Sequence, residues 1–261
     1  MATKAIPIIH RPINRTRERI FFSGMALLLA AVVITGFSHA YFLAGMLRAP
    51  LPNLLVHIHA AVFTSWMILY LIQTALVSAR RIHWHRALGI AAYCLPIIMV
   101  PLGAITGLDE LRRETVYSGG FPNGIPTVPR LSAIFLAESL LGIALFAIVV
   151  FASWRARRQS DAHKRLVLYA TIGLSSGALI RFPWRKMGLA SLGDNAAVLA
   201  LSLMLLIVLA YDLVSLRKIH RSSLWAAPLT FVVFALTIPI ASTTTWQSFA
   251  NYLARTIAPH L

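Results

Sequence analysis

The chain reads as an all-α, polytopic membrane helix bundle of about seven transmembrane helices. Three observations predict that class. Of its 261 residues, 58% are hydrophobic and only 12% are charged, about half the charge of an ordinary soluble domain. Seven apolar runs each approach the roughly 20 residues that a bilayer crossing needs. Short basic clusters separate these runs, so no stretch remains for a sizeable soluble domain.

The runs lie at about 21–44, 54–78, 87–107, 131–153, 163–182, 195–216 and 226–244. Pro50 and Pro52 punctuate the first connection. Pro96 and Pro101 fall within the third run and predict a kink, because each removes a backbone donor. The connection 108–130 carries Gly119, Gly120, Pro122, Gly124, Pro126 and Pro129 and is expected to be a loop or lid. Residues 246–257 bring Trp246, Phe249, Tyr252, Leu253 and Ile257 near one face, as a short interfacial helix does. The expected organisation is a basic N-terminal segment at 1–20, one membrane domain at 21–244 and a C-terminal interfacial segment at 245–261. The first run is too long for an ordinary signal-peptide core and reads as an uncleaved anchor.

The net charge of +16 does not indicate a nucleic-acid partner. The cations sit between apolar runs, where they set orientation. Sixteen Lys and Arg fall on the side of the N-terminus and eight on the other. That asymmetry predicts a cytoplasmic N-terminus and an outer C-terminus. Cys94 is the only cysteine, which excludes an internal disulfide and a cysteine-based zinc or iron–sulfur site. No phosphate-binding glycine loop, His-Glu-x-x-His pattern or nucleophile elbow occurs. Whether the protein is an enzyme stays open.

Polar groups in apolar spans are costly and mark the places to look for function. The topology sorts them by depth. His39, His57, His59 and Glu138 fall within about 12 Å of the outer boundary, at 1.5 Å per residue. His85 and His163 start the third and fifth runs at the inner boundary. His57 and His59 are about 200° apart on a helix, so they face different ways. His59, Trp66 and Gln73 recur every seven residues and form the stripe expected to face the bundle interior.

Two site readings follow. On the inner side, neutral imidazoles at one depth can hold a haem b iron from both faces, as in electron transfer. Arg81, Arg86, Lys164 and Arg165 stand nearby to receive haem propionates. On the outer side, His39, His59 and Glu138 are candidate ligands of a non-haem zinc, iron, copper or nickel ion. Glu138 alternatively serves a proton-coupled transporter, with Arg181 as a candidate partner. Asp212 is expected to pair with Arg217 near the inner interface. A membrane scaffold without ligand is the remaining reading.

His59, Trp66 and Gln73, the run His-Arg-Ala-Leu-Gly at 85–89, and Asp-Ala-His-Lys-Arg-Leu at 161–166 carry a resemblance. Over most of residues 35–185 the chain resembles a family of uncharacterised bacterial multi-spanning membrane proteins. That resemblance implies the bacterial inner membrane and no particular activity. A more distant resemblance is to the two-haem transmembrane cytochrome b group, which includes ascorbate-dependent cytochromes and ferric-reductase relatives. Its core is four helices, each with a haem-ligating histidine near its start, on alternating sides. It implies an inner haem on His85 and His163, with His59 in the outer position. The helix between them offers Glu138 where that group has a histidine. Lipid is the expected partner, with a redox partner for the haem reading; the oligomeric state is not legible.

Overall fold

The computed structural model describes residues 15–43, 53–117, 130–192 and 195–256. The chain forms an all-α, multi-pass membrane bundle, and no strand occurs among the described residues. Among the described residues six helical segments are long and apolar enough to cross a bilayer. They are α1 (Arg15–Phe37), α2 (Leu54–Ser78), the broken pair α3 (Ile82–Ala92) and α4 (Cys94–Tyr117), α5 (Arg130–Arg155), α8 (Asn195–Leu216) and α9 (Arg221–Ala241). The shorter α6 (Ser160–Leu174), continued by α7 (Ser176–Ile180), packs among them without being one of the six. A final helix, α10, spans Thr244–Thr256.

Interhelical bonds at each end show that the crossings alternate. At the end holding the start of α1, Ser23 Oγ meets Ser78 Oγ at 2.9 Å, and Lys164 pairs with Glu18. At the other end, Tyr41 hydroxyl meets His57 Nδ1 at 2.8 Å, and Asn53 donates to Asp109 at 2.9 Å. We call these the inner and outer ends.

The runs at 54–78 and 195–216 coincide with α2 and α8. Other boundaries differ for local reasons. The third crossing starts at Ile82 and breaks at Tyr93. Pro96 has no N–H for the Ala92 carbonyl, and its ring crowds that carbonyl, so α3 ends there. Pro101 is carried inside α4. Residues 108–117, expected in the loop, continue α4. The glycine- and proline-rich remainder, 118–129, lies outside the described residues. α1 passes into a π-helical turn, Ser38–Phe42.

The fifth expected run, 163–182, is interrupted at Ser175, which sequence periodicity did not show. Ser175 N bonds the carbonyls of both Thr171 and Ile172, and its hydroxyl bonds Ile172 at 2.7 Å. The Ser175-Ser176-Gly177 run competes with the helix ladder in this way. Despite the break, α6 is sunk in the bundle, with Leu168, Tyr169 and Ile172 sealed from the surroundings.

Lipid tails are as apolar as leucine, so helices here associate through packing and interhelical hydrogen bonds. Leu29, Met99, Phe146, Val149, Leu168 and Val208 centre the main core. Small residues allow the closest approach. A Cβ on Gly36 of α1 would lie 2.2 Å from the Ala178 carbonyl oxygen of α7. α10 packs Ala250 and Leu253 on Leu111, Ala133 and Leu136, and Trp246 Nε1 donates to the Ala133 carbonyl at 3.0 Å. Phe249 and Tyr252 face outward, whereas Leu253, grouped with them from the sequence, is buried.

Candidate functional site

A cavity of about 910 Å³ opens at the inner end, near the upper limit of small-molecule sites, about 1,000 Å³. Helices α1, α2, α3, α5 and α6 wall it, and both His85 and His163 line it. Their ring centres are 6.4 Å apart, with planes at 70°. The inner pair expected from matching depth is therefore brought together in space.

Each imidazole is held through Nδ1. His163 Nδ1 lies 3.1 Å from the Ser153 carbonyl oxygen. A carbonyl only accepts, so Nδ1 carries the proton and Nε2 keeps its lone pair. Tyr93 hydroxyl stands 3.5 Å from the same Nδ1 and bonds Ser153 Oγ at 2.8 Å. His85 Nδ1 accepts from the side-chain N–H of Gln73 at 2.6 Å, which places the proton of that ring on Nε2. The far end of that amide engages the Gly89 backbone N–H at 3.0 Å. The Ser153 carbonyl thus leaves His163 Nε2 bare for a metal, whereas the Gln73 N–H holds His85 in the opposite tautomer, so ligation by His85 Nε2 requires that amide to turn over.

The histidines stand on unequal walls. α6 carries His163 within a helix whose other face is sealed. α3 carries His85, and none of its described residues is buried. α3 packs mainly on α2 and α4, and across the cavity it meets α6 chiefly through the two imidazoles. Arg15, Arg19, Arg86, Arg157 and Arg158 line the mouth. Arg157 lies over the Trp154 ring at 4.1 Å.

The expected cation set is only partly present. Arg86 lines the cavity, but Arg81 is not on its wall. Lys164 lines it too, yet it is held by Glu18 and by Asp161 at 2.5 Å. Burial tends to raise the Asp161 carboxyl, but the Lys164 ammonium, with Arg165 and Arg15, brings its pKa below the usual value. Arg165 points away from the cavity. It is two residues from His163, which turns it about 200° around the helix.

Arg165 instead pairs with Asp212, and both are sealed in the protein, 1% and 0% exposed. Arg165 Nε donates to Asp212 Oδ1 at 2.7 Å, and Nη1 to the Asp161 carbonyl at 2.8 Å. Asp212 Oδ2 accepts from Ser223 Oγ at 2.5 Å and from His220 N at 3.1 Å. This buried network corrects the expected Asp212–Arg217 pair. The sequence offered the signal of an arginine facing away from its neighbouring histidine, but the partner lies 47 residues on.

The stripe on α2 does face inward. Trp66 is buried and donates to Thr171 Oγ1 at 3.3 Å, while Gln73 reaches His85. His59, at the outer end of this stripe, is far from the inner pair and stacks on Phe63 at 4.0 Å. Its Nδ1 is sealed, with no hydrogen-bond partner among the described residues. His57 is exposed and bonds Tyr41.

Glu138 is buried, and its Oε1 accepts from Ser176 Oγ at 2.9 Å. Among the described residues Arg181 makes no ion pair with it; Arg181 bonds the Gly177 carbonyl and lies over Phe37 and Phe135. Among the described residues no group of three or more His, Cys, Asp or Glu side chains is placed to hold a metal ion. The side chain of His39 lies outside the described residues. Comparison with protein-family models, with curated proteins and with solved structures finds no match.

Proposed function

We propose that the protein is a haem-binding electron-transfer protein, with haem b clamped between His85 and His163. One observation carries the reading: two imidazoles stand 6.4 Å apart on the wall of one large cavity. Two metal–imidazole bonds of about 2.0–2.1 Å, with about 1 Å from each nitrogen to its ring centre, span roughly 6 Å. The uncovered side of α3 supports the same reading, since a flat ligand against it would supply the missing packing. Arg15, Arg19, Arg86, Arg157 and Arg158 at the mouth suit carboxylate substituents.

When bound, six-coordinate haem supplies one-electron redox chemistry with no open coordination position. The protein's own part is orientation. Ser153 holds the His163 proton on Nδ1, Gln73 restrains the His85 ring, and the helices exclude water from the deep end. The charge asymmetry of the connections supports the bacterial inner membrane with a cytoplasmic mouth.

Purified full-length protein is expected to show a reduced-minus-oxidised haem b spectrum. His85→Ala and His163→Ala should each abolish the six-coordinate signature. A colourless, iron-free preparation from haem-replete cells overturns the reading. The outer end supports a second one, a proton-coupled carrier, through the buried carboxyl of Glu138. Equal proton-coupled uptake by wild type and Glu138→Gln in proteoliposomes sinks it.

A further inference from the structure

The cavity continues past the histidines. On α2, Tyr70 lies three residues before Gln73, about 4.5 Å farther from the mouth. Its side chain leans farther still, because the Cα–Cβ bond tilts toward the helix N-terminus. Trp66 and Leu69 of α2 and Val167 of α6 surround this deep end. It is apolar, and Tyr70 itself is only 7% exposed.

The Tyr70 hydroxyl has no acceptor among the described residues, yet it differs from the other orphan phenol. Tyr169 hydroxyl is sealed off completely, whereas that of Tyr70 is not. Tyr70 lines the cavity, so this is where its hydroxyl can be met. The nearby Thr74 hydroxyl is already spent on the Tyr70 backbone carbonyl at 2.8 Å. The deep end thus presents one free donor inside an apolar, aromatic-walled chamber. A buried donor left unpaired is costly, so its natural complement is a ligand acceptor oxygen. A charged acceptor is disfavoured there, because the cations lie at the mouth.

We propose that this deep end is a subsite for the ring of a membrane quinone, with Tyr70 donating to a ring carbonyl. A quinone combines a flat, largely apolar body with neutral acceptor oxygens. The inference deepens the haem reading, on which its redox meaning rests, by naming the class of the redox partner. The binding claim stands on Tyr70 alone.

Native mass spectrometry of the full-length protein, released from detergent and titrated with decylubiquinone, tests it. Wild type should take up one quinone per chain, saturably. Tyr70→Phe keeps the ring and removes the donor, and should raise the apparent Kd about five- to tenfold, the worth of one hydrogen bond. Ser65→Ala, on α2 but off the cavity wall, should bind as wild type, which controls for folding. No adduct on wild type, or equal Kd for wild type and Tyr70→Phe, overturns the proposal. The same spectra count haem separately. Haem without quinone removes the subsite and leaves the histidine clamp. Quinone without haem removes the clamp and leaves the subsite.

Discussion

The two walls that carry the inner histidines are built on different principles. α6 is fixed by protein alone: a sealed arginine–aspartate network joins it to α8 and α9, and its core-facing residues are buried. α3 packs mainly on α2 and α4, ends early at a proline-imposed break, and buries none of its described residues. One imidazole therefore stands on a rigid support and the other on a wall that lacks a covering partner. A ligand gripped by both would complete the second wall. Rigidity and incompleteness at one site are what a preformed but ligand-dependent pocket requires.

Breaking the rigid wall should have the largest effect. Asp212→Ala leaves the Arg165 guanidinium buried without its partner, a loss of about 3–5 kcal/mol. Thermal unfolding in detergent should show it, and the double change Arg165→Met with Asp212→Leu should restore much of the loss. An equally unstable double variant would mean that the surrounding packing, not the orphaned charge, sets the cost.

Removing the ligand should act on the other wall. Ligand bound at about 100 times its Kd adds about 2.7 kcal/mol of stability. If haem is that ligand, hydrogen exchange should rise over residues 82–92 when it is stripped and change little over 160–174. Equal rises in both segments would erase the contrast. The continuation of the rigid wall offers a smaller test. Gly36→Ala drives a methyl into the Ala178 backbone, and overpacking of this kind costs about 1–3 kcal/mol. A normal melting temperature would show that α7 can move aside.

The smallest effect concerns His220, in the connection that closes the Asp212 network. Its Nδ1 accepts from the Ser222 N–H at 3.1 Å, capping α9. Partial burial, then the Arg165 cation, hold its pKa below the usual 6.5. Above that value both folded and unfolded chains keep it neutral. Below it the unfolded chain takes up the proton first, so stability falls as pH drops and levels off below the folded pKa. The melting temperature should drift down between about pH 7 and pH 5. His220→Asn, which keeps a capping acceptor, should flatten that drift.

Much of the architecture was legible because lipid imposes it. Every backbone polar group in a bilayer must be satisfied within its own helix, so apolar run length reports crossings directly. Runs 54–78 and 195–216 coincide with their helices for this reason. The seven-residue spacing of His59, Trp66 and Gln73 likewise reported the inward face of α2, since helical phase is local geometry. Depth alone also brought His85 and His163 to one level.

Contact is a different matter, because it depends on which helices are neighbours and how they are rotated. The Ser175 break was invisible to hydropathy, as serine and glycine interrupt an apolar run without ending it. Asp212 found Arg165 rather than Arg217 because interhelical pairing ignores sequence distance. Glu138 found Ser176, while Arg181 turned to a backbone carbonyl and two aromatic rings. The sequence by itself determined a membrane bundle, its crossings and the level of each polar group, since solvent and helix geometry act residue by residue. Only the tertiary structure decided that two of those groups share a cavity, that one of their walls is left uncovered, and that a phenol waits at its far end, since packing is a property of helices together.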